Sequence, residues 1–231
     1  MGLKEGEVIQ HSMITRSIER AQKKVEENNF GIRKRLLEYD DVMNQQREVV
    51  YRQRREALNG KSLKPAIEEM IRDKAEEIAY GFTDERAHPE EWNWKGLKKA
   101  VFKQFNFRLD KIDEDTMDGL TREGLTQLIA DSSRMVYNEK EASVGSEEFR
   151  HLERVVMLQT VDNLWKDHLL SMDHLKEGIG LRGYAQQDPL IVYKKEGFEL
   201  FQEMVSRIKE ETLGILYRIQ ISEPQNIADL Q

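Results

Sequence analysis

The chain has 231 residues, of which 36 are Lys or Arg and 43 are Asp or Glu; the formal net charge is −7 and only 39% of residues are hydrophobic. The absence of Cys excludes disulfides, iron–sulfur clusters and thiolate zinc sites, and no apolar run approaches the ~20 residues a membrane span needs. With 14 Gly and only 4 Pro, the chain has too few turns for a compact βαβ fold, and its length fits one large domain or two small ones at ~150 residues each.

The N-terminus, MGLKEGEVIQ, has no apolar core and does not read as a signal peptide, so a soluble, reducing compartment is the expected setting. From Glu5 to Leu58 there is no proline and a single interior glycine once past Gly6, which predicts one very long helix. Apolar residues recur at Ile14, Ile18, Ala21 and Val25, then resume at Ile32, Leu36, Tyr39, Met43, Val50 and Ala57. Joining the two runs, from Val25 to Asn29 and on to Ile32, takes a stutter that locally unwinds a supercoil. Gly31 lies beside it, and a bend or a change of packing partner is expected there. Fifty-odd residues of helix span ~80 Å, longer than any core a domain of this size can build. Much of this helix is therefore expected to run against other partners. Polar Asn29, Gln46 and Gln53 interrupt the stripe and weigh against a plain homodimeric coiled coil.

Asn59-Gly60 reads as the end of this helix, and Pro65 suits the first turn of the next. That second helix has an apolar face of Ile67, Met70, Ile71, Ala75 and Ile78. A loop is expected from Gly81 to Pro89, then a helix with Trp92 and Trp94 near its start and Leu97, Val101, Phe102 and Phe105 along it. Asp110 to Asp118 reads as an acidic loop, followed by a third helix carrying Leu125, Leu128, Ile129, Met135, Val136 and Tyr137. Both tryptophans are read as core.

Ser146 is an N-cap candidate, with Glu147 and Glu148 in the first turn. The stripe Val161, Trp165, His168, Met172, Leu175, Ile179 steps by four, three, four, three and four, which predicts a helix. Asp188-Pro189 opens a returning helix with the face Phe201, Met204, Ile208, Ile215 and Ile219. Together they predict an αα-hairpin with arms of ~50 Å and a glycine-rich tip, GIGLRGYAQQD. The tip presents Tyr184, which is either folded back or offered to a partner; both readings stay open on the residues alone. Ser222 to Gln231 reads as the start of a linker.

Several chemistries are missing. Asn59-Gly60-Lys61-Ser62 resembles the end of a phosphate-binding loop, but the glycine required five residues before Gly60 is Arg55. Asp113 and Asp115 resemble a calcium loop, but Met117, Asp118 and Gly124 occupy positions that need a ligand, a glycine and a glutamate. His168 and His174 are six apart, on different helix faces, so they make no helical zinc pair, and His168 is read as packed core. The basic cluster Arg47, Arg52, Arg54 and Arg55 reads as a solvated helix face, and the overall acidity argues against specific nucleic-acid binding. The residues by themselves describe an interaction module and not an enzyme.

Two long stretches carry a resemblance. IERAQKKVEENNFGIRKRLLEYDDVMNQQREVVYRQRR, residues 18–55, resembles the scaffold helix of the SecA family, the ATPase motors of the bacterial Sec channel. LQTVDNLWKDHLLSMDHLKEGIGLRGYAQQDPLIVYKKEGFELF, residues 158–201, is similar to the family's two-helix finger. The resemblance implies an all-α fragment: a long scaffold helix over 1–60, a small helical wing over 61–145, the two-helix finger over 146–220 and the start of a C-terminal linker over 221–231.

It also implies a part of the motor with no catalysis or cofactor of its own, the ATP and Mg being held by domains outside this chain and zinc, in those family members that end in a cysteine-rich tail, by that tail. Leu181, Arg182, Gly183, Tyr184, Ala185, Gln186 and Gln187 would form the finger tip, with Tyr184 touching the translocating chain at the mouth of the channel. The implied partners are the SecYEG channel, unfolded preprotein, the motor's nucleotide-binding and preprotein cross-linking domains, and a second copy of the motor. The implied location is cytoplasmic, peripheral to the membrane, with the finger region restraining ATPase activity in the free motor. The alternative is a self-associating coiled-coil protein without a motor.

Overall fold

The computed structural model describes residues 12–59, 62–109, 119–182 and 188–219, with the side chains of 180–182 excepted. Six α-helices and one 3-10 turn make up the described secondary structure: α1 Ser12–Leu58, α2 Lys64–Phe82, the turn Pro89–Glu91, α3 Trp94–Phe105, α4 Arg122–Val144, α5 Ser146–Arg182 and α6 Pro189–Arg218. The fold is all-α, as expected. Gly60 and the acidic stretch Asp110 to Asp118 lie outside the described residues.

Local signals account for most boundaries. Pro65 sits in the first turn of α2. Asn93 caps α3 by accepting the Gly96 N–H at 2.9 Å, and Thr121 caps α4 by accepting that of Gly124 at 3.0 Å. Helix α3 ends on Asn106 in the left-handed region, φ 54°, where a short polar side chain is tolerated. Asp188 caps α6 through the Leu190 N–H at 2.9 Å, with Pro189 following as expected. Ser146 departs from expectation. It is already helical, and its hydroxyl donates to the Glu141 carboxylate at 3.0 Å instead of capping. The break between α4 and α5 belongs to Gly145, whose φ of 101° few other residues adopt. Gly81 likewise falls inside α2, so the expected loop starts at Thr83.

The main core joins Val50 and Ala57 of α1 to the inner faces of α2, α3 and α4, the first half of α5 and the second half of α6. Both tryptophans belong to it: Trp92 is buried and donates its indole N–H to the Asp84 carbonyl, and half-buried Trp94 donates to that of Pro89. A second, smaller core of Met172, Ile179 and Tyr193 lies further out between the arms of the hairpin, against Tyr39, Val42 and Met43 of α1. Ile215 is 40% exposed, so the inner face of α6 is set by Leu213, Leu216 and Tyr217 in place of the expected Ile215.

Helix α1 runs unbroken through Gly31. Its surroundings change further on, at Tyr39. From there it packs on the hairpin, whereas Ile14, Ile18, Val25, Phe30, Ile32, Leu36 and Leu37 are 41–68% exposed. An apolar stripe left uncovered from Ile14 to Leu37 fits the expectation that this part of α1 needs further partners.

Candidate interaction site

Helices α5 and α6 form the antiparallel hairpin, and Gly197 of α6 faces the Met172 side chain of α5. A Cβ there would lie 2.7 Å from the Met172 Cε, so a larger residue would require that flexible side chain to shift. The arms are fastened to α1 at successive levels. Asp40 pairs with Lys176 at 3.5 Å, and Arg54 pairs with Asp162 at 3.0 Å. Fourteen residues forward along α1 thus match fourteen residues back along α5. The two helices run antiparallel in one register over ~20 Å. Beside the outer pair, the rings of Tyr39 and Tyr193 meet edge to face, 4.8 Å between centroids.

Between those levels sits Gln46, buried although polar. Its amide N–H donates to the Gly197 carbonyl at 3.0 Å, and its Oε1 lies 2.8 Å from His168 Nε2. Because the amide nitrogen is committed to a carbonyl, Oε1 must accept, so His168 carries its proton on Nε2. Burial pushes the His168 pKa down and keeps the ring neutral. The imidazole lies between Trp165 and Phe201, centroids 5.6 and 5.7 Å away. One side chain of the long helix therefore binds both arms of the hairpin at once.

The base of the hairpin is tied to the neighbouring helices by a buried charged network. Glu153 is fully buried and accepts from the Tyr137 hydroxyl and from Arg150 Nη1, the latter at 2.7 and 2.8 Å. Arg150 also pairs with Glu141 at 2.7 Å, and Lys64 donates to Glu141 at 2.8 Å. The Lys64 hydrogen bond is the main reason the Glu141 carboxyl falls to about 2. Burial pushes both Glu153 and Tyr137 up. At the far end of α6, Lys140 donates to the carbonyls of Tyr217 at 2.6 Å, Ile219 at 2.9 Å and Leu216 at 3.3 Å. The Tyr217 hydroxyl donates to the Ser133 carbonyl at 2.8 Å. The last carbonyls of the return arm, which no helix can satisfy internally, are thereby closed by a lysine from α4.

Of the expected tip residues, Leu181 and Arg182 belong to the last turn of α5, which runs helical through Gly178 and Gly180. Gly183, Tyr184, Ala185, Gln186 and Gln187 lie outside the described residues. The basic cluster of α1 is partly engaged within the chain: Arg54 pairs with Asp162, Arg47 donates to Asn44 and Arg55 to the Tyr51 carbonyl. Gln46, Lys140, Glu153 and Gly197 were not singled out by composition or spacing as interacting residues. Gln46 had a signal. It continues the spacing of Tyr39, Met43 and Val50, and His168 keeps step with Trp165 and Met172. Two polar residues, each at a core position of its own helix, need each other.

Comparison with known proteins places the whole chain. The family described as the SecA Wing and Scaffold domain matches residues 8–220. The protein translocase subunit SecA of Desulforapulum autotrophicum is 53% identical over 231 residues, covering 100% of this chain and 27% of that protein. Those of Geobacter metallireducens and Syntrophobacter fumaroxidans are each 49% identical, covering 99% and 100% of this chain and 25% and 27% of their own lengths. The chain thus spans about a quarter of the length of these relatives.

Proposed function

The chain belongs to the SecA family, as its wing and scaffold region, and from that premise we propose that it is the mechanical, non-catalytic part of a preprotein-translocating ATPase. It takes up displacement from nucleotide-binding domains along α1 and passes it through the hairpin to a preprotein in the SecYEG channel. In this reading residues 1–60 are the scaffold helix, 61–145 the wing and 146–220 the finger, with 221–231 beginning a linker. ATP and Mg are handled by domains outside this chain, and the whole works at the cytoplasmic face of the membrane.

The observation that carries the reading is the junction at Gln46. The part of α1 before Tyr39 is an uncovered apolar helix, suited to partner domains. The part from Tyr39 onward is locked to both arms of the hairpin, with two hydrogen bonds from Gln46 in a buried setting. A helix fixed in that way transmits a shift where a flexible connection would dissipate it. Tyr184, with a large ring and a polar hydroxyl, supplies the gripping surface at the tip, and small Gly183 and Ala185 keep the tip slim.

The regulatory half of the proposal is tested by mixing this chain with separately prepared nucleotide-binding domains of the same motor. Their ATPase rate falls if the chain restrains them. Confirmed binding with an unchanged rate removes the regulatory claim and leaves the mechanical one standing.

A further inference from the structure

Where α2 passes the end of the long helix, the packing leaves a cavity of about 140 Å³. Four helices build its wall. Ala57 comes from α1, Met70 from α2 with Leu63 just before it, Met157 and Val161 from α5, and Ile208 from α6. All six are buried or half-buried. On the solvent side the lining is polar: Gln53, Arg54, Glu56 and Lys209. Arg54 and Lys209 are already turned to carboxylates, those of Asp162 and Asp73. Among the described residues Gln53 and Glu56 have no hydrogen bond or ion pair. The inner wall has no polar side chain, so water inside would lack the partners it needs. Cavities of about 150 Å³ lined by such side chains stay dry and accept an aromatic ring.

We propose that this cavity binds a small uncharged aromatic molecule, one ring or two fused, with an N–H directed at Glu56. The volume sets the size. The thioethers of Met70 and Met157 select an aromatic over an aliphatic body, because sulfur favours contact with a ring and the unbranched methionine chain moulds itself to a flat ligand. The mouth selects the polar group. With both cations paired, the groups left open are an amide and a carboxylate. A donor finds an acceptor there, whereas an anionic ligand would meet Glu56 with like charge. An occupant touches all four helices at once. It therefore holds the long helix to α2 and to the base of the hairpin, and its binding adds to the stability of that junction. The site lies apart from Gln46 and the finger tip and holds whatever the chain does in transport.

Indole is the probe, titrated into the 231-residue chain with its methionine methyl groups labelled for NMR. The Met70 and Met157 methyl resonances should shift in the field of the ring and saturate, with a dissociation constant of about 1 mM or tighter. The Met135 methyl, on a side chain 58% exposed on α4, should stay in place. Ala66, on α2, also lines the cavity, and Ala66→Leu fills it. That variant should keep its helical circular dichroism and bind indole about tenfold or more weakly. Met70→Leu keeps the volume and removes a sulfur, and should weaken binding about twofold to tenfold. Indene, the same shape without the N–H, should bind about threefold or more weakly. The proposal is overturned if the Met70 and Met157 methyls do not move, or if Met135 moves as much. Ala66→Leu binding like the parent chain overturns it too. If that variant does not fold, Met70→Leu decides, and unchanged affinity there overturns the proposal. Indene binding as tightly as indole overturns the contact with Glu56.

Discussion

His168 of the hairpin donates its Nε2 hydrogen to Gln46 of the long helix at 2.8 Å, across 122 residues of chain. The same amide closes on the Gly197 carbonyl of the other arm. Replacing Gln46 with Ala leaves the buried His168 Nε2–H without a partner, while the Gly197 carbonyl loses its second donor and keeps its helical one. A buried donor costs about 1–3 kcal/mol when stranded. Urea unfolding of Gln46→Ala should show a loss in that range with an unchanged m-value. A loss of only a few tenths would mean that water replaces the amide and that the junction is not sealed.

The neutral state of His168 gives the stability a pH dependence of definite sign. Burial lowers its pKa in the folded chain below the ordinary 6.5, so the unfolded chain takes up this proton first as pH falls. Stability is therefore fully present above the ordinary histidine value and declines as pH drops from there toward the folded-state pKa. Comparing unfolding free energies at neutral pH and one to two units below should show the decline for the parent chain. His168→Gln should be flatter over the same window. Parallel profiles would mean that other groups dominate.

The helical periods and the Asp188-Pro189 start were legible in the sequence because each is a local matter, a spacing of three and four or a cap beside its helix. Gln46 was not. It was read as a flaw in the apolar stripe, since its partners lie 122 and 151 residues away. Lys140 and Glu153 sit in helices full of charge, and nothing nearby in sequence marks them as the inward-facing ones. Ile215 was misassigned by following the apolar period one residue out of phase with Leu216. Ser146 was credited with a cap that the positive φ of Gly145 makes unnecessary. The tip residues were named from the family resemblance, and their chemistry is not a matter of packing.

Glu153 tests the base of the hairpin. Removing one member of a buried charged set strands the rest, and Arg150 would keep only Glu141 as a carboxylate partner. Glu153→Ala should cost about 3 kcal/mol or more. Tyr137→Phe removes one donor from a carboxylate that still has Arg150, and should cost less. A double-mutant cycle should show coupling of at least about 0.5 kcal/mol. Additive losses would mean that the two side chains do not act as one network.

Lys140 tests the anchorage of the return arm. In Lys140→Met the carbonyls of Leu216, Tyr217 and Ile219 lose a shared donor. Hydrogen exchange should quicken over the last turn of α6 and stay unchanged around Met172 and Tyr193, which belong to the outer core. Uniform acceleration along the whole hairpin would show that the arm opens as a single unit and is not held separately at its end.

The most direct test of the mechanical account is a transport assay on a full-length SecA carrying this chain as its wing and scaffold region, with Tyr184 replaced by Ala. The account predicts a large loss of preprotein transport with basal ATP hydrolysis retained. Transport at the unaltered rate would contradict it.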